Sequence, residues 1–258
     1  MRIEGRVFVV TGAGNGIARE VTLQLLAKGG RVAAVDLSEA GLAETARLAD
    51  AGKRLSTHAL SVADRGAVEA LPDAVLAAHG QVDGLINVAG IIQRFVHVED
   101  LAIEEIEKVM AVNFWGTTYM VKAFLPLLKK RPKAAIVNVS SMGGLVPVPG
   151  QGAYGASKAA VKLLTETLFA ELQDTSVAVT VVIPGGVGTN ITANSGVTVP
   201  GGSHQAPGGK APKVTKATDA AAQIVDAVEK GTFRVVVGAA STTRAPRRTR
   251  RGGGWLLG

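Results

Sequence analysis

The sequence predicts a doubly wound α/β fold, a parallel sheet of seven strands covered by helices on both faces. Three observations predict it. Apolar runs of strand length alternate with amphipathic stretches of helical period along most of the chain. The strand runs are continuously apolar, as strands buried on both faces require. The first run, RVFVVT, passes through the glycine turn TGAGNGIA directly into a helical stretch, the order in which such a sheet meets its first crossover helix.

The elements follow in sequence. Residues 6–11 form the first strand, and the helix after the glycine turn runs to about Lys28. RVAAVD (31–36) is the second strand, with a helix through about Asp50. A short strand near 54–60 precedes a helix from Asp64 to about His79, and VDGLIN (82–87) is the fourth strand. Helices are expected over roughly 99–111 and 112–130. Pro126 should kink the second of these, because an interior proline lacks the N–H and crowds the preceding turn. KAAIVNVS (133–140) is the fifth strand, 152–173 a helix, VAVTVVI (177–183) the sixth strand and RVVVG (234–238) the seventh. The segment 190–215, rich in Gly, Pro and small polar residues, breaks the alternation. A loop this long inside a compact domain usually serves function. It follows strand six at the sheet end where ligands bind in such folds, which makes it a candidate substrate lid, a plain linker being the alternative. One domain is expected over 1–240, with a basic tail over 241–258.

Composition narrows the function classes. A chain of 258 residues buries roughly 75% of its unfolded surface and needs no staples. With 47% hydrophobic residues it is not generally disordered. There is no cysteine, so disulfides, thiolate metal sites and cysteine nucleophiles are excluded. The histidines His58, His79, His97 and His204 show no helical ligand spacing, and no metal is expected. No apolar run approaches the ~20 residues of a membrane span. The N-terminus leads straight into a strand, unlike a signal peptide, so a cytoplasmic location is expected. Much of the formal charge of +7 sits in the tail, in Arg244, Arg247, Arg248, Arg250 and Arg251. No aromatic residue is interleaved with them and no nucleic-acid motif occurs elsewhere, so they are expected to be a solvated terminus and not a nucleic-acid arm.

Two constellations carry chemistry. The glycine turn permits close backbone approach to phosphates, and the helix after it offers free N–H groups and a positive dipole. Asp36 closes the second strand about 20 residues on, where a carboxylate suits the two ribose hydroxyls of NAD and repels the 2′-phosphate of NADP. It could instead cap the following helix. Leu37 follows, so no adjacent cation invites that phosphate. The second constellation is Tyr154 and Lys158, four apart and therefore on one helix face, with Ser141 upstream. A tyrosine titrates near ~10, and a neighbouring ammonium favours its ionised form.

In these motifs the chain resembles the short-chain dehydrogenase/reductase family, from about residue 5 to about 240. The pieces occur in the family's order: TGAGNGIA (11–18), Asp36, NVAG (87–90), VNFWG (112–116), VSS (139–141), YGASK (154–158) and PGGVGT (184–189). The resemblance implies a Rossmann-type three-layer sandwich and an oxidoreductase that interconverts a secondary alcohol and a ketone with NAD, NADP being less favoured. It implies Tyr154 as general acid/base, Lys158 to lower its pKa and hold the nicotinamide ribose, Ser141 on the substrate oxygen, and Asn113 shaping a helix and holding a relay water. Gly12, Asn15, Gly16 and Ile17 would line the pyrophosphate. Asp36 and Leu37, Ser61 and Val62, and Asn87, Ala89 and Gly90 would border the adenosine and ribose. Pro184, Gly185, Val187 and Thr189 would seat the nicotinamide. Homo-oligomers are usual in the family.

Three positions depart from the family pattern. Ala18 replaces the last glycine of the turn, which adds one methyl at a helix–strand contact. Val88 replaces a second asparagine, removing polar bonds between central strands. Ser61 stands where an aspartate usually meets the adenine amino group. Ile91, Gln93, Gly143, Leu145 and Val146 are expected to wall the substrate pocket with segment 190–215. That wall is mostly apolar, with no basic anchor for a carboxylate or phosphate, and suits a hydrophobic alcohol or ketone. An NADPH-dependent carbonyl reductase and a non-catalytic dinucleotide-binding protein are the alternatives.

Overall fold

The computed structural model describes residues 1–188, 191–197 and 214–238. The seven expected strands pair in one sheet. They are β1 (Val7–Thr11), β2 (Arg31–Asp36), β3 (Leu55–Ala59), β4 (Gly84–Asn87), β5 (Ala134–Val139), β6 (Val177–Pro184) and, after a small pair β7 (Val187–Gly188) and β8 (Thr215–Lys216), β9 (Arg234–Val237). Their order is β3-β2-β1-β4-β5-β6-β9, every neighbouring pair parallel. The chain leaves β1 toward β2 on one side and returns through β4 on the other. The crevice at that reversal, beyond the carboxyl ends of β1 and β4, is the ligand position of doubly wound sheets.

The continuous apolar strands feed two cores. Alternate side chains of a strand point to opposite faces. Phe8, Val10, Val32 and Ala34 therefore pack below one face with Val21 and Leu25 of α1 (Gly16–Ala27) and Ile224 and Val225 of α8 (Ala217–Lys230). Val7, Val9, Ala33 and Val35 pack on the other face with Val68 and Val75 of α3 (Arg65–His79) and Phe124 and Leu128 of α5 (Thr117–Lys129). At the amino ends of the strands Asp83 is fully buried and accepts from the Val7 N–H at 2.9 Å, Arg6 at 2.9 Å and Arg131 at 2.8 Å. Burial alone would raise its carboxyl, but these donors outweigh it and hold the group below the usual range.

Three details differ from expectation. The stretch 99–130 contains a short turn at Val98–Asp100, then α4 (Ile103–Met110), a π-helical turn over Ala111–Gly116, and α5. The helices thus continue into one another where a break at 111/112 was expected. Helix α5 holds Pro126 in its interior and runs to Lys129, within the expected 112–130. Helix α8 carries no sequence expectation above, although Ala220, Ala221, Ile224, Val225 and Val228 line one buried face at helical spacing. Part of segment 190–215 is ordered by pairing: β7 pairs with β8, and a short helix α7 spans Ile191–Asn194. Helix α2 spans Glu39–Ala49 and α6 spans Gly152–Glu171. Residues 198–213 and the basic tail 241–258 lie outside the described residues. Among those described, no helix is long and apolar enough to cross a membrane.

Candidate active site

Helix α6 presents Tyr154 and Lys158 on one face at the carboxyl edge of β4 and β5. Lys158 is only 4% exposed. Its Nζ donates to the Val139 carbonyl at 3.0 Å and stands 5.8 Å from the centre of the Tyr154 ring. Burial lowers this ammonium to about 8. Burial also raises the Tyr154 phenol above its ordinary value, partly offset by a hydrogen bond with the Ser141 hydroxyl. The net direction is thus upward, set by burial, and not the depression by Lys158 that the sequence suggests. Ser141 follows β5 and caps the short turn Met142–Gly144, its Oγ accepting from the Gly143 N–H at 3.1 Å. Two glycines allow that turn to lie against α6. A Cβ on Gly155 would stand 2.8 Å from the Gly143 carbonyl oxygen, and one on Gly144 2.8 Å from the Ala159 nitrogen.

Asn113 lies in the π-helical turn and is fully buried. Its Oδ1 accepts from the Ile91 N–H at 2.8 Å, and its Nδ2 donates to the Ile91 carbonyl at 3.0 Å and to Ser157 Oγ at 2.9 Å. Ser157 in turn donates to the Tyr154 carbonyl at 2.8 Å. Gly90 lets these groups converge, since a Cβ there would lie 3.1 Å from Lys158 Nζ and 3.2 Å from Asn113 Oδ1. Ser141, Tyr154, Lys158 and Asn113 thus form one connected cluster.

The glycine turn lies beside that cluster. Gly12 has φ +76°, and a Cβ on it would stand 3.0 Å from the Ala89 backbone. Gly16 opens α1 with φ +54°, preceded by Asn15 in extended backbone and followed by Ile17 against the core. Asp36 accepts from the Gly14 N–H and the Ser38 N–H, each at 2.8 Å. A Cβ on Gly14 would lie 2.9 Å from Asp36 Oδ2, so only glycine leaves that carboxylate open. Leu37 beside it is 75% exposed. Ser61 Oγ accepts from the Ala63 N–H at 3.2 Å, while Val62 is buried against Gly116. Asn87 donates to Asn138 Oδ1 at 2.9 Å, and Thr11 Oγ1 accepts from the N–H groups of Val88 and Ala89. Pro184 is buried at the end of β6, Gly185 donates to the Val237 carbonyl at 2.9 Å, and Val187 pairs with Thr215. Thr189 lies outside the described residues. A bare glycine cradle, a helix N-terminus and an open carboxylate fit a dinucleotide.

The model of the family described as short chain dehydrogenase matches residues 6–199. The chain belongs to the short-chain dehydrogenase/reductase family. It is an oxidoreductase acting on CH–OH donors with a nicotinamide dinucleotide. Among its relatives, the oxidoreductase SadH of Mycobacterium tuberculosis is 41% identical over 91% of this chain and 87% of its own. The 2-(R)-hydroxypropyl-CoM dehydrogenase of Xanthobacter autotrophicus is 38% identical over 72% of this chain and 76% of its own. A short-chain dehydrogenase/reductase from Burkholderia phymatum, solved in complex with NAD, superposes with a TM-score of 0.82 at 28% identity, over 92% of this chain and 90% of its own.

Several residues of this short-chain dehydrogenase/reductase carry roles the motifs did not reveal. Arg19, one turn into α1, donates to the Gly14 carbonyl, to Gly41 O at 3.3 Å and to Thr45 Oγ1 at 3.0 Å. Thr45 donates to the Ala13 carbonyl at 2.8 Å. Together they hold the carbonyls of Ala13 and Gly14 in the glycine loop. Arg19 thus binds the carbonyl of the same Gly14 whose N–H bonds Asp36. Val88 packs into the core, and the tie between central strands passes instead through Asn87, Asn138 and Thr165. Gln93 is 3% exposed with both polar ends bonded, so it is a buried bracket and not pocket wall. Away from the site, His58 and His79 both hydrogen-bond Ser56 Oγ, at 2.8 and 2.9 Å. His97, Glu99 and Asp100 bring three ligand-type atoms within 4.8 Å on an exposed turn. Neither grouping has a helical spacing that sequence could reveal.

Proposed function

We propose that this chain interconverts a hydrophobic secondary alcohol and its ketone with NAD, Tyr154 donating and accepting the proton. The observation that carries the proposal is the cluster in which Lys158 and Asn113 meet beside Gly90 and Tyr154 meets Ser141 beside Gly143. The dinucleotide, when bound, supplies or accepts the hydride. The remaining work falls to this chain's residues. Ser141 hydrogen-bonds the substrate oxygen and holds it next to the phenol. Tyr154, when ionised, takes the alcohol proton, and when neutral it gives a proton to the ketone oxygen. Lys158, close enough to act as a through-space charge, favours the phenolate and holds the nicotinamide ribose. Asn113 braces Ile91 and, through Ser157, the first turn of α6, next to the relay water the family implies. Gly12, Asn15, Gly16 and Ile17 line the pyrophosphate.

Two features support NAD over NADP. Asp36 offers a carboxylate to ribose hydroxyls and repels a 2′-phosphate. Arg19, on the same turn, directs its Nε and Nη2 donors to Thr45 and to the Gly14 and Gly41 carbonyls. A hydrophobic substrate is supported by the exposed Leu145, Val146 and Val148, which lie just past the turn that Ser141 caps. The relative named for a 2-hydroxypropyl compound points to the same secondary-alcohol class. The test is a panel of 1-phenylethanol, 2-octanol, acetophenone and 2-octanone with both dinucleotides, followed by reduced-nicotinamide absorbance. Turnover with NAD(H) at least ~10-fold more efficient than with NADP(H) is expected, a difference of about 1.4 kcal/mol. Preference for NADPH would favour the carbonyl-reductase alternative, and no turnover with any member would contradict the hydrophobic substrate class.

A further inference from the structure

We infer that Gln93 is a positioning residue for the reaction, acting through the backbone of Tyr154. The inference rests on the proposed role of Tyr154 and adds the device that fixes it in place.

The first N–H groups of a helix have no partner within the helix. In α6 the residue before the helix, Gln151, makes no side-chain cap bond. The missing acceptor comes from a distant loop. Gln93 Oε1 accepts from the Tyr154 N–H at 3.0 Å, and its Nε2 donates to the Gly150 carbonyl at 3.0 Å. One carboxamide therefore grips the chain on both sides of the start of α6. The side chain is 3% exposed, so water does not replace these bonds when they are lost, and leaving their partners unpaired is costly. A carboxamide suits the place because it carries both donor and acceptor groups without charge.

The loop that holds Gln93 is itself fixed. Asn113 binds both the N–H and the carbonyl of Ile91, and Ser195 Oγ accepts from the Ile92 N–H at 3.0 Å. Three consecutive residues thus join the π-helical turn, the segment after β6 and the turn that bears Tyr154. The Tyr154 phenol is held by Ser141. A shift of the first turn of α6 would alter the spacing between the proton-transfer group and the group that holds the substrate oxygen. Misplacement of that kind, by about 1 Å, lowers turnover on the order of 10²-fold.

The test compares the parent with Gln93→Leu and Gln93→Glu in the reduction of acetophenone or 2-octanone by NADH, whichever the parent reduces faster. Gln93→Leu should lower kcat about 10- to 100-fold, with NADH affinity by fluorescence titration within about twofold of the parent. A neutral glutamic acid reproduces the donor and acceptor of the amide, whereas the ionised form cannot donate to Gly150, and burial raises the pKa of such a carboxyl. Gln93→Glu should therefore match the parent at low pH and fall away as the carboxyl ionises, adding a limb to the pH profile of kcat that the parent lacks. If Gln93→Leu does not fold, as judged by circular dichroism, the Gln93→Glu profile decides alone. A kcat for Gln93→Leu within threefold of the parent would overturn the inference. So would a fall in NADH affinity as large as the fall in kcat, or a Gln93→Glu profile that superposes on the parent's. Tyr154→Phe, assayed alongside, separates the two ideas. Retained activity there removes the proposed proton-transfer role whatever Gln93 does, while lost activity there with unaffected Gln93 variants removes only this inference.

Discussion

Lys158 shows most plainly how the candidate site trades stability for chemistry. It is a buried ammonium that donates to a carbonyl, that of Val139, and no carboxylate pairs with it among the described residues. A fall from 10.5 to about 8 corresponds to roughly 3 kcal/mol for keeping the group charged at neutral pH. The folded value lies below the unfolded one, so this cost is present in full below about 8 and fades as pH rises toward 10.5. Lys158→Met should accordingly raise thermal stability at pH 7. The gain is about 1–2 kcal/mol after the Val139 hydrogen bond is lost, or a few degrees in a chain of this size. The gain should shrink by pH 10. Turnover should fall by at least ~10²-fold in the same variant. Unfolding scans at the two pH values, paired with the alcohol assay, check both signs.

The helices and strands that carry these residues explain which parts of the site could be read in advance. Tyr154 and Lys158 were legible because one helix period relates them. The glycine turn and Asp36 were legible because each ends a strand of recognisable apolar pattern. Gln93, Arg19 and Ser195 were not, since each acts across elements far apart in the chain, and a lone polar residue in a loop carries no period. The π-helical turn at Ala111–Gly116 was hidden for a similar reason. It follows from how Asn113 reaches Ile91 and Ser157, and not from any local propensity.

The edge formed by β3 and α3 makes a prediction of its own. Burial lowers both His58 and His79 below their ordinary value, and for His79 the Arg31 guanidinium and His58 add to the effect. Their folded values lie below the unfolded 6.5, so stability is complete above that pH and declines as pH falls through the folded values. Urea unfolding at pH 7.5 and 5.5 should show lower stability at the acid value, and His58→Gln should reduce the difference. An unchanged difference in that variant would contradict the assignment.

For the molecule as a whole, alternation of strands and helices predicted the sheet and its two covered faces, and the strand order places the crevice where the motif residues converge. What escaped was the organisation near the end of the chain. Helix α8 has a clear apolar stripe, but it follows a glycine- and proline-rich stretch that drew attention to the loop. The proposed preference for NAD also belongs to this scale, because it rests on Asp36 from β2, Gly14 from the turn after β1 and Arg19 from α1 together. Asp36→Ser should raise the NADP-to-NAD efficiency ratio by at least ~10-fold, measured with the same alcohol and each dinucleotide.

The central claim is that the phenol of Tyr154 transfers the proton. Its most direct test is the turnover of Tyr154→Phe in the oxidation of the preferred alcohol, with NADH binding measured in parallel. The variant should lose at least 10²- to 10⁴-fold in kcat, the usual contribution of a general acid or base, with NADH affinity within a few-fold of the parent. Turnover within a few-fold of the parent would contradict the claim.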